Sequence, residues 1–203
     1  MSTIRIMAFA GDEPMVEYVR GLGYQLRTVR RRWYSTERGD PLKIEVRTPG
    51  TATEALEALR APADLIVFAA HGGFSDDGVA WVGEDVADTG RWINLDCLRG
   101  DLGGLRCHGL VLDACSNYEE FAKRVEAALD QRAAYLGCDG KNLFTHGPVL
   151  VWDLLARLTV AQNPAIDAQG IDQAARAALE AAGRVLQDGD AKALKRWSVR
   201  LLG

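Results

Sequence analysis

The fold is decided by two apolar stretches, LIVFAAHGG at residues 65–73 and GLVLDACS at residues 109–116. In each stretch, a continuous run of apolar residues predicts a strand that is buried on both faces of a parallel sheet. The first run stops abruptly at His71 and the second at Cys115. Ligands of such sheets bind outside the carboxyl ends of the strands, so both side chains are expected at one edge of the sheet. If the two strands are neighbours, the imidazole and the thiol come close together.

Strands alternate with helices along the rest of the chain, and this order predicts an α/β fold, a three-layer α/β/α sandwich with a mostly parallel central sheet. Residues 28–40 are interpreted as a surface loop or hairpin, and 197–201 fit a final strand slightly better than a helix. The 203 residues contain no linker long enough to divide domains, so one domain over 1–203 is expected. Further strands are predicted at 4–10, 42–46, 79–83 and 132–137, and helices at 15–26, 51–60, 93–98, 118–129, 147–160 and 171–182.

Composition and charge are those of an ordinary globular protein. Hydrophobic residues make up 48% and the formal net charge is -4, which does not favour nucleic acid or an anionic membrane as a partner. No segment has the apolar length of a membrane span, and the N-terminus lacks the features of a signal peptide. A cytoplasmic location is therefore expected. The basic run Arg30 to Arg32, followed by two aromatic residues, is interpreted as a solvated loop rather than a nucleic-acid contact.

The four cysteines do not suggest a disulfide framework or a metal site. In the reducing cytoplasm thiols stay free, and no two of them form a Cys-x-x-Cys pair. Cys107, His108 and Cys138 could in principle hold zinc, but their spacing matches no common zinc motif. We expect Cys97, Cys107 and Cys138 to be buried, inert thiols, and no metal to be bound.

A histidine beside a cysteine is the arrangement that nucleophilic catalysis needs. His71 can accept the proton of the Cys115 thiol or hold it as a thiolate-imidazolium pair, and can later donate that proton to a leaving amine. The negative oxygen of the tetrahedral intermediate needs donors, for which the backbone N–H groups of Gly72 and Cys115 are the candidates. This chemistry requires no organic cofactor.

The two motifs resemble the signature of the caspase-fold cysteine peptidases, an apolar strand before His71-Gly72 and another before Ala114-Cys115. His71 and Cys115 lie 44 positions apart (115 − 71), close to the roughly 50 of the caspase family. Within that group the chain is similar to the CHAT domain, the branch related to caspases and separase. The resemblance implies a cysteine endopeptidase with a His71–Cys115 dyad. Three further stretches support it: RAAYLG at 132–137, IDQAARAAL at 171–179, and WSVRLLG at 197–203.

Asp113, two residues before the cysteine, bears on specificity. In metacaspases an acidic residue at the matching position lines the pocket for a basic side chain, and the same interpretation predicts cleavage after Arg or Lys. The equally weighted alternative is that Asp113 accepts hydrogen bonds from a nearby loop. Asp139, after the next strand, is a second and weaker candidate for the pocket wall.

The resemblance also implies partners and leaves rival functions open. A protein or peptide substrate is expected, together with a separate activator chain, since the sequence carries no sensor module of the kind fused to many CHAT domains. By analogy, the role would lie in bacterial defence or regulated cell death. One rival is a catalytically silent binding module on the same fold. Another is a flavin-binding or receiver-type domain, disfavoured because a predicted strand ends in His71 where a receiver needs Asp and because no phosphate-binding loop is present.

The remaining histidines and two tryptophans have mainly structural interpretations. His108 precedes the cysteine strand at its amino end, and His146 lies near a helix start, so neither is expected to be catalytic. Trp81 and Trp92 could wall a substrate cleft, although packing in the core is the usual role of tryptophan.

Overall fold

The computed structural model describes residues 2–9, 13–33, 42–84, 91–115, 118–140, 147–160, 166–185 and 196–203. The strands and helices in these ranges are β1 (Ser2–Phe9), α1 (Glu13–Trp33), β2 (Leu42–Arg47), α2 (Ala52–Arg60), β3 (Leu65–Phe74), β4 (Ala80–Gly83), β5 (Trp92–Asn94), α3 (Leu98–Leu102), β6 (Gly109–Asp113), α4 (Tyr118–Ala128), β7 (Ala133–Cys138), α5 (Gly147–Val160), α6 (Ala168–Val185) and β8 (Trp197–Leu202). Among the described helices, none is both long and apolar enough to cross a membrane.

The central sheet has the strand order β2-β1-β3-β6-β7-β8. Its strands pair in parallel except for β8, which runs antiparallel to β7. The two stretches that decide the fold are therefore neighbours. Their register aligns Leu65 with Gly109 and Ala69 with Asp113.

Two hydrophobic cores cover the two faces of this sheet. Because successive side chains of a strand point to opposite faces, Val67 and Val111 pack against α1, α5 and α6, whereas Phe68 and Leu112 pack against α2, α3 and α4. Both faces are thus buried, which is why these strands are continuously apolar. The predicted α/β/α sandwich with a mostly parallel sheet is confirmed.

The first stretch forms a longer strand than the sequence predicts. β3 does not stop at Ala70 but continues to Phe74, because its last four residues pair antiparallel with β4. β4 in turn pairs with β5, which makes the predicted helix at 93–98 wrong. The Oδ1 atom of Asn94 accepts the N–H of Asp96 at 2.8 Å, a local turn that ends β5, and helix α3 begins only at Leu98.

The predicted surface loop at 28–40 is also wrong in its described part. Helix α1 continues to Trp33, and Arg30 is buried, with its Nη1 atom donating to the carbonyl of Thr159 in α5 at 2.7 Å. Residues 34–41 lie outside the described ranges. The guanidinium of Arg30 thus ties two helices of one layer together. At the other end of the chain the final strand is confirmed as β8.

A second buried arginine joins the edge of the sheet to helix α2. Arg5 of β1 is 3% exposed, and its Nε and Nη2 atoms donate to one carboxylate oxygen of Glu45 at 2.9 and 2.8 Å. The same guanidinium donates to three carbonyls at the end of α2: that of Ala58 in its last turn, and those of Ala61 and Pro62 just after it. Burial alone would raise the pKa of Glu45, but hydrogen bonds from Lys43 and Arg5 outweigh it and lower that pKa. The pair is therefore held in its ionised form.

Replacing Arg5 should destabilise the protein strongly. Arg5→Met keeps the volume but leaves three carbonyls at the end of α2 without their donor and removes one of the two cations paired with Glu45, so the free energy of unfolding should fall by about 3–5 kcal/mol. The measurement is the urea midpoint at unchanged slope. Arg20→Met is the matched control, since its ion pair with Glu17 is exposed, and it should cost less than about 1 kcal/mol. Equal effects of the two substitutions would contradict this account.

Candidate active site

His71 and Cys115 meet at the carboxyl edge of the central sheet. Ala69 and Asp113 are register partners on adjacent parallel strands, and two more residues along each chain place His71 level with Cys115. Alternation along β3 sends His71 toward the layer of α1, α5 and α6, and Cys115, two residues beyond the end of β6, lines a cavity walled by α1 and α5. Both side chains are half-buried and line one cavity. The structure therefore brings together the imidazole and the thiol that the sequence singled out.

The cavity is small and open to solvent at its mouth. Its volume is about 30 Å³, enough for one or two water molecules. Helix α1 contributes Met15 and Tyr18 to its wall, α5 contributes Pro148, and β6 contributes the carboxylate of Asp113. The described lining thus combines an apolar wall with one acidic group.

Gly72 lies where the backbones of β3 and the segment after β6 touch. A Cβ atom on this residue would overlap the carbonyl oxygen of Cys115 and come within 3.3 Å of the Ala114 side chain. Only glycine fits without moving the cysteine. The close approach holds His71 and Cys115 at a fixed separation through their own backbones.

The N–H group of Gly72 points away from β4. The Ser75 N–H donates to the Val79 carbonyl at 3.0 Å, which makes these two residues a hydrogen-bonded pair at the end of the β3–β4 ladder. Antiparallel ladders alternate between hydrogen-bonded and non-hydrogen-bonded pairs, so Gly72 and Val82 form a non-hydrogen-bonded pair. The backbone groups of Gly72 are consequently directed to the opposite flank of β3.

That opposite flank is the one occupied by Cys115. β1 and β4 flank β3 on the same side, β1 along its first part and β4 along its last four residues. The contact that shows this is at Gly83 of β4, where a Cβ would meet the ring of Phe9 at the end of β1. β6 flanks β3 on the other side. The Gly72 N–H is therefore directed toward the segment that carries the thiol.

Asp113 is a buried carboxylate, only 6% exposed, at the end of β6. It lies against Gly147, the first residue of α5, so closely that a Cβ there would overlap its oxygens. The amino end of a helix favours negative charge, and this position stabilises the carboxylate. Asp113 thus both lines the cavity beside Cys115 and packs on a helix terminus, a geometry that suits either of its two sequence interpretations.

Tyr18 is a site residue that sequence reasoning missed. Its buried hydroxyl lies close to the Asp113 carboxylate, although it falls outside good hydrogen-bond geometry. Burial, and then the negative charge of Asp113, raise the pKa of Tyr18 well above its ordinary value, so the phenol stays neutral. Helical spacing is the sequence signal that could have identified it. Tyr18 lies between Met15 and Leu22 on the buried face of α1, and its ring carries a polar hydroxyl.

The other cysteines differ in burial. Burial raises the pKa of Cys107 to about 12. Burial, followed by the nearby Cys115 and Asp113, also raises the pKa of Cys138 to about 12. Both stay neutral thiols near pH 7, as the sequence predicts for buried, inert groups. Cys97 is exposed, so its predicted burial is wrong; it precedes α3 on the solvent side. The described ranges hold no cluster of three or more His, Cys, Asp or Glu side chains suited to a metal.

Asp139 is not among the residues that line the cavity. Its side chain is exposed, and Oδ1 accepts the N–H of Tyr118, the first residue of α4, at 3.3 Å. Its own N–H donates to the Arg196 carbonyl at 2.7 Å. Asp139 therefore caps a helix and ties β7 to the start of the last strand.

The two remaining histidines have separate outcomes. His108 lies at the amino end of β6, far from Cys115, where its ring contacts the Gln131 amide at 3.2 Å and lies 3.9 Å from Asp64. This is the position that the sequence predicts. His146 lies outside the described residues.

Comparison with known proteins agrees with this architecture. No protein-family model matches the sequence, and no curated protein matches it. Among solved structures, the chain is similar to the Arg-specific cysteine proteinase gingipain R, with a TM-score of 0.63, 12% identity, and coverage of 97% of this chain and 45% of that one. It is also similar to a secreted C11 cysteine protease from Bacteroides thetaiotaomicron in complex with an irreversible peptide inhibitor, with a TM-score of 0.54 and 13% identity. That alignment covers 99% of this chain and 65% of the C11 protease.

These similarities concern the fold. The chain has the mixed α/β fold of caspase-like proteins, with a mostly parallel central sheet flanked by helices, as predicted. It spans less than half of the length of gingipain R and 65% of the C11 protease. Both of these structural neighbours are cysteine proteases.

The close contact at Gly72 makes a stability prediction. Gly72→Ala should lower the free energy of unfolding by about 1–3 kcal/mol, because the new methyl group must push the Cys115 carbonyl away. Gly183→Ala is the control: it lies in α6 with no heavy atom within 4 Å of a built Cβ, and alanine there should be neutral or stabilising by up to about 1 kcal/mol. Urea unfolding measures both. Stability of Gly72→Ala equal to that of the control would show that the two backbones do not touch.

Proposed function

We propose that the chain is a cysteine endopeptidase in which Cys115 is the nucleophile and His71 the general acid-base. The observation that carries this proposal is the placement of a half-buried imidazole and a half-buried thiol on one cavity, at the ends of adjacent parallel strands. The similarity of the fold to two cysteine proteases supports it. The neutral, buried Cys107 and Cys138 are poor alternative nucleophiles.

The proposed reaction balances without a cofactor. The Cys115 thiol gives its proton to His71, and the sulfur bonds to the peptide carbonyl carbon. The resulting oxyanion accepts hydrogen bonds from the N–H groups of Gly72 and Cys115; the direction of the Gly72 N–H, away from β4, supports this role. The C–N bond then breaks as His71 protonates the leaving amine. Water, deprotonated by His71, hydrolyses the thioester and restores the thiol.

The acyl side of the scissile bond is proposed to carry Arg or Lys. Asp113 is a buried carboxylate on the same cavity as Cys115, and a cationic side chain is the group that pairs best with it. The Arg specificity of the structural neighbour gingipain R is in keeping with this preference. Asp139 is the second candidate for contact with this side chain.

The wider assignment follows the sequence resemblance. We place the chain in the CHAT branch, as a single domain in the cytoplasm that acts on a protein substrate. A separate activator protein would control it, in a bacterial defence or cell-death response. A catalytically silent binding module with the same fold is the alternative that the following labelling experiment separates.

Labelling should identify the nucleophile. An Arg-bearing acyloxymethyl ketone should add once to the native chain, which intact mass reports, and should not add to Cys115→Ala or His71→Ala. Cys97→Ala is the matched control, since Cys97 is an exposed thiol that does not line the cavity, and it should label like the native chain. An adduct that persists on Cys115→Ala would overturn the assignment and favour the binding module.

Asp113→Asn should abolish the preference for a basic residue. The substitution keeps the shape but removes the charge, so the labelling rate with an Arg probe should fall about 30-fold or more relative to a norleucine probe. Asp139→Asn is the matched control and should retain most of the preference. Since Asp113 is buried, thermal unfolding of the variant must show an intact fold. An unchanged ratio in a folded Asp113→Asn protein would assign Asp113 to structure alone.

A further inference from the structure

One face of the β3–β4 ribbon carries an aromatic side chain beside His71. The register pairs His71 with Gly83 and Gly73 with Trp81. Directly opposite residues of an antiparallel pair project from the same face, and so do residues two apart in one strand. His71 and Trp81 therefore share one face of the ribbon, about 7 Å apart along the strand direction.

The indole of Trp81 lies over Gly73. A Cβ built on Gly73 would be 3.3 Å from Cζ2 of the indole and 3.5 Å from Cε2 and Nε1. Gly83, the partner of His71, has no side chain either, and the space over it is taken by the backbone of Arg91 and Trp92 and by the ring of Phe9. We call the indole of Trp81, together with the Gly73 backbone beneath it, the shelf.

This tryptophan is not a core residue. The opposite face of β4 carries Ala80 and Val82, which are fully buried in the core above α2, α3 and α4. Trp81 is half-buried and belongs to neither hydrophobic core among the described residues. The sequence interpretation that favoured core packing therefore does not account for it. Part of the indole is therefore accessible on the same face as a candidate catalytic histidine.

The shelf lies on the leaving-group side of the site. In the proposed reaction the acyl carbon bonds to the Cys115 sulfur on the β6 flank, and the basic side chain before the scissile bond is directed toward Asp113, which lines the same cavity. β4 lies on the other flank of His71. The leaving amine takes its proton from His71, so the peptide beyond the scissile bond passes over the ribbon that carries Trp81.

We propose that Trp81 is a specificity-determining residue that contacts an aromatic or large aliphatic side chain in the first or second position after the scissile bond. This inference rests on the proposed peptidase function. The half-buried indole offers apolar and stacking contact but no charged group of its own. The substrate class is thus a peptide with a basic residue before the cleaved bond and an apolar residue after it.

The test uses internally quenched peptides that are identical up to a cleaved Arg bond and carry Phe, Ala or Glu in the next two positions. The native chain should cleave the Phe peptide about tenfold faster, in kcat/KM, than the Ala peptide. Trp81→Ala should lose this ratio, and Trp81→Phe should restore most of it. Labelling by the Arg acyloxymethyl ketone, which has no peptide after the reactive carbon, should be unchanged in both variants.

Phe74→Ala is the matched control. Phe74 is a 41% exposed aromatic residue on the same strand as Gly73 but on the opposite face, where it packs edge-on against Phe121. Phe74→Ala should leave the kcat/KM ratio of the Phe peptide to the Ala peptide unchanged. Three results would overturn the role of Trp81 and leave the proposed function standing. The native chain could be labelled but show no preference for the Phe peptide, or the preference could survive in Trp81→Ala. Labelling and cleavage could also fall equally in Trp81→Ala. Absence of both labelling and cleavage in the native chain would instead overturn the proposed function.

Discussion

The parallel pairing of β3 with β6 is the constraint on which the rest of the site depends. Both strands are covered by helices on both faces, so their side chains up to Ala69 and Leu112 have no room for a solvated polar group. The first positions that can carry chemistry lie where the sheet ends. Because the register aligns the two ends, His71 in β3 and Cys115, two residues beyond the end of β6, come to the same edge of the sheet. Their separation is set by strand spacing, which side-chain substitutions elsewhere change little.

A second constraint comes from the double use of β3. The strand belongs to the central sheet up to Ala70 and to the small sheet with β4 and β5 beyond it. His71 is therefore held by ladder hydrogen bonds on one flank, while the next residue, Gly72, turns its backbone groups to the other flank. The Cys115 carbonyl leaves no room for a side chain at Gly72. The β3–β4 ladder that holds the His71 backbone also leaves the Gly72 N–H directed toward the segment that carries the thiol.

The sequence predicted what depends on local apolar pattern and missed what depends on pairing. The runs ending at His71 and Cys115 predicted buried parallel strands, because only strands covered on both faces are apolar throughout. The extension of β3 and the strand at Trp92–Asn94 arise from partners across the β4 ribbon, which no local pattern shows. Arg30 looked solvated because its stabilising carbonyl lies 129 residues away in α5. Tyr18 contributes through its proximity to Asp113, which is also distant in the chain.

Asp113 gives the candidate site its electrostatic character. Removing a carboxylate from water is costly unless dipoles or charges compensate it, and the amino end of α5 supplies part of that compensation. Its neighbours Tyr18 and Cys138 stay neutral near pH 7, since burial and the nearby negative charge raise both pKa values. They contribute dipoles but no charge. In the proposed reaction an entering guanidinium or ammonium group forms a charge pair with Asp113, whereas a neutral side chain does not. In the proposed reaction this difference in charge, more than the size of a 30 Å³ cavity, orders the substrates.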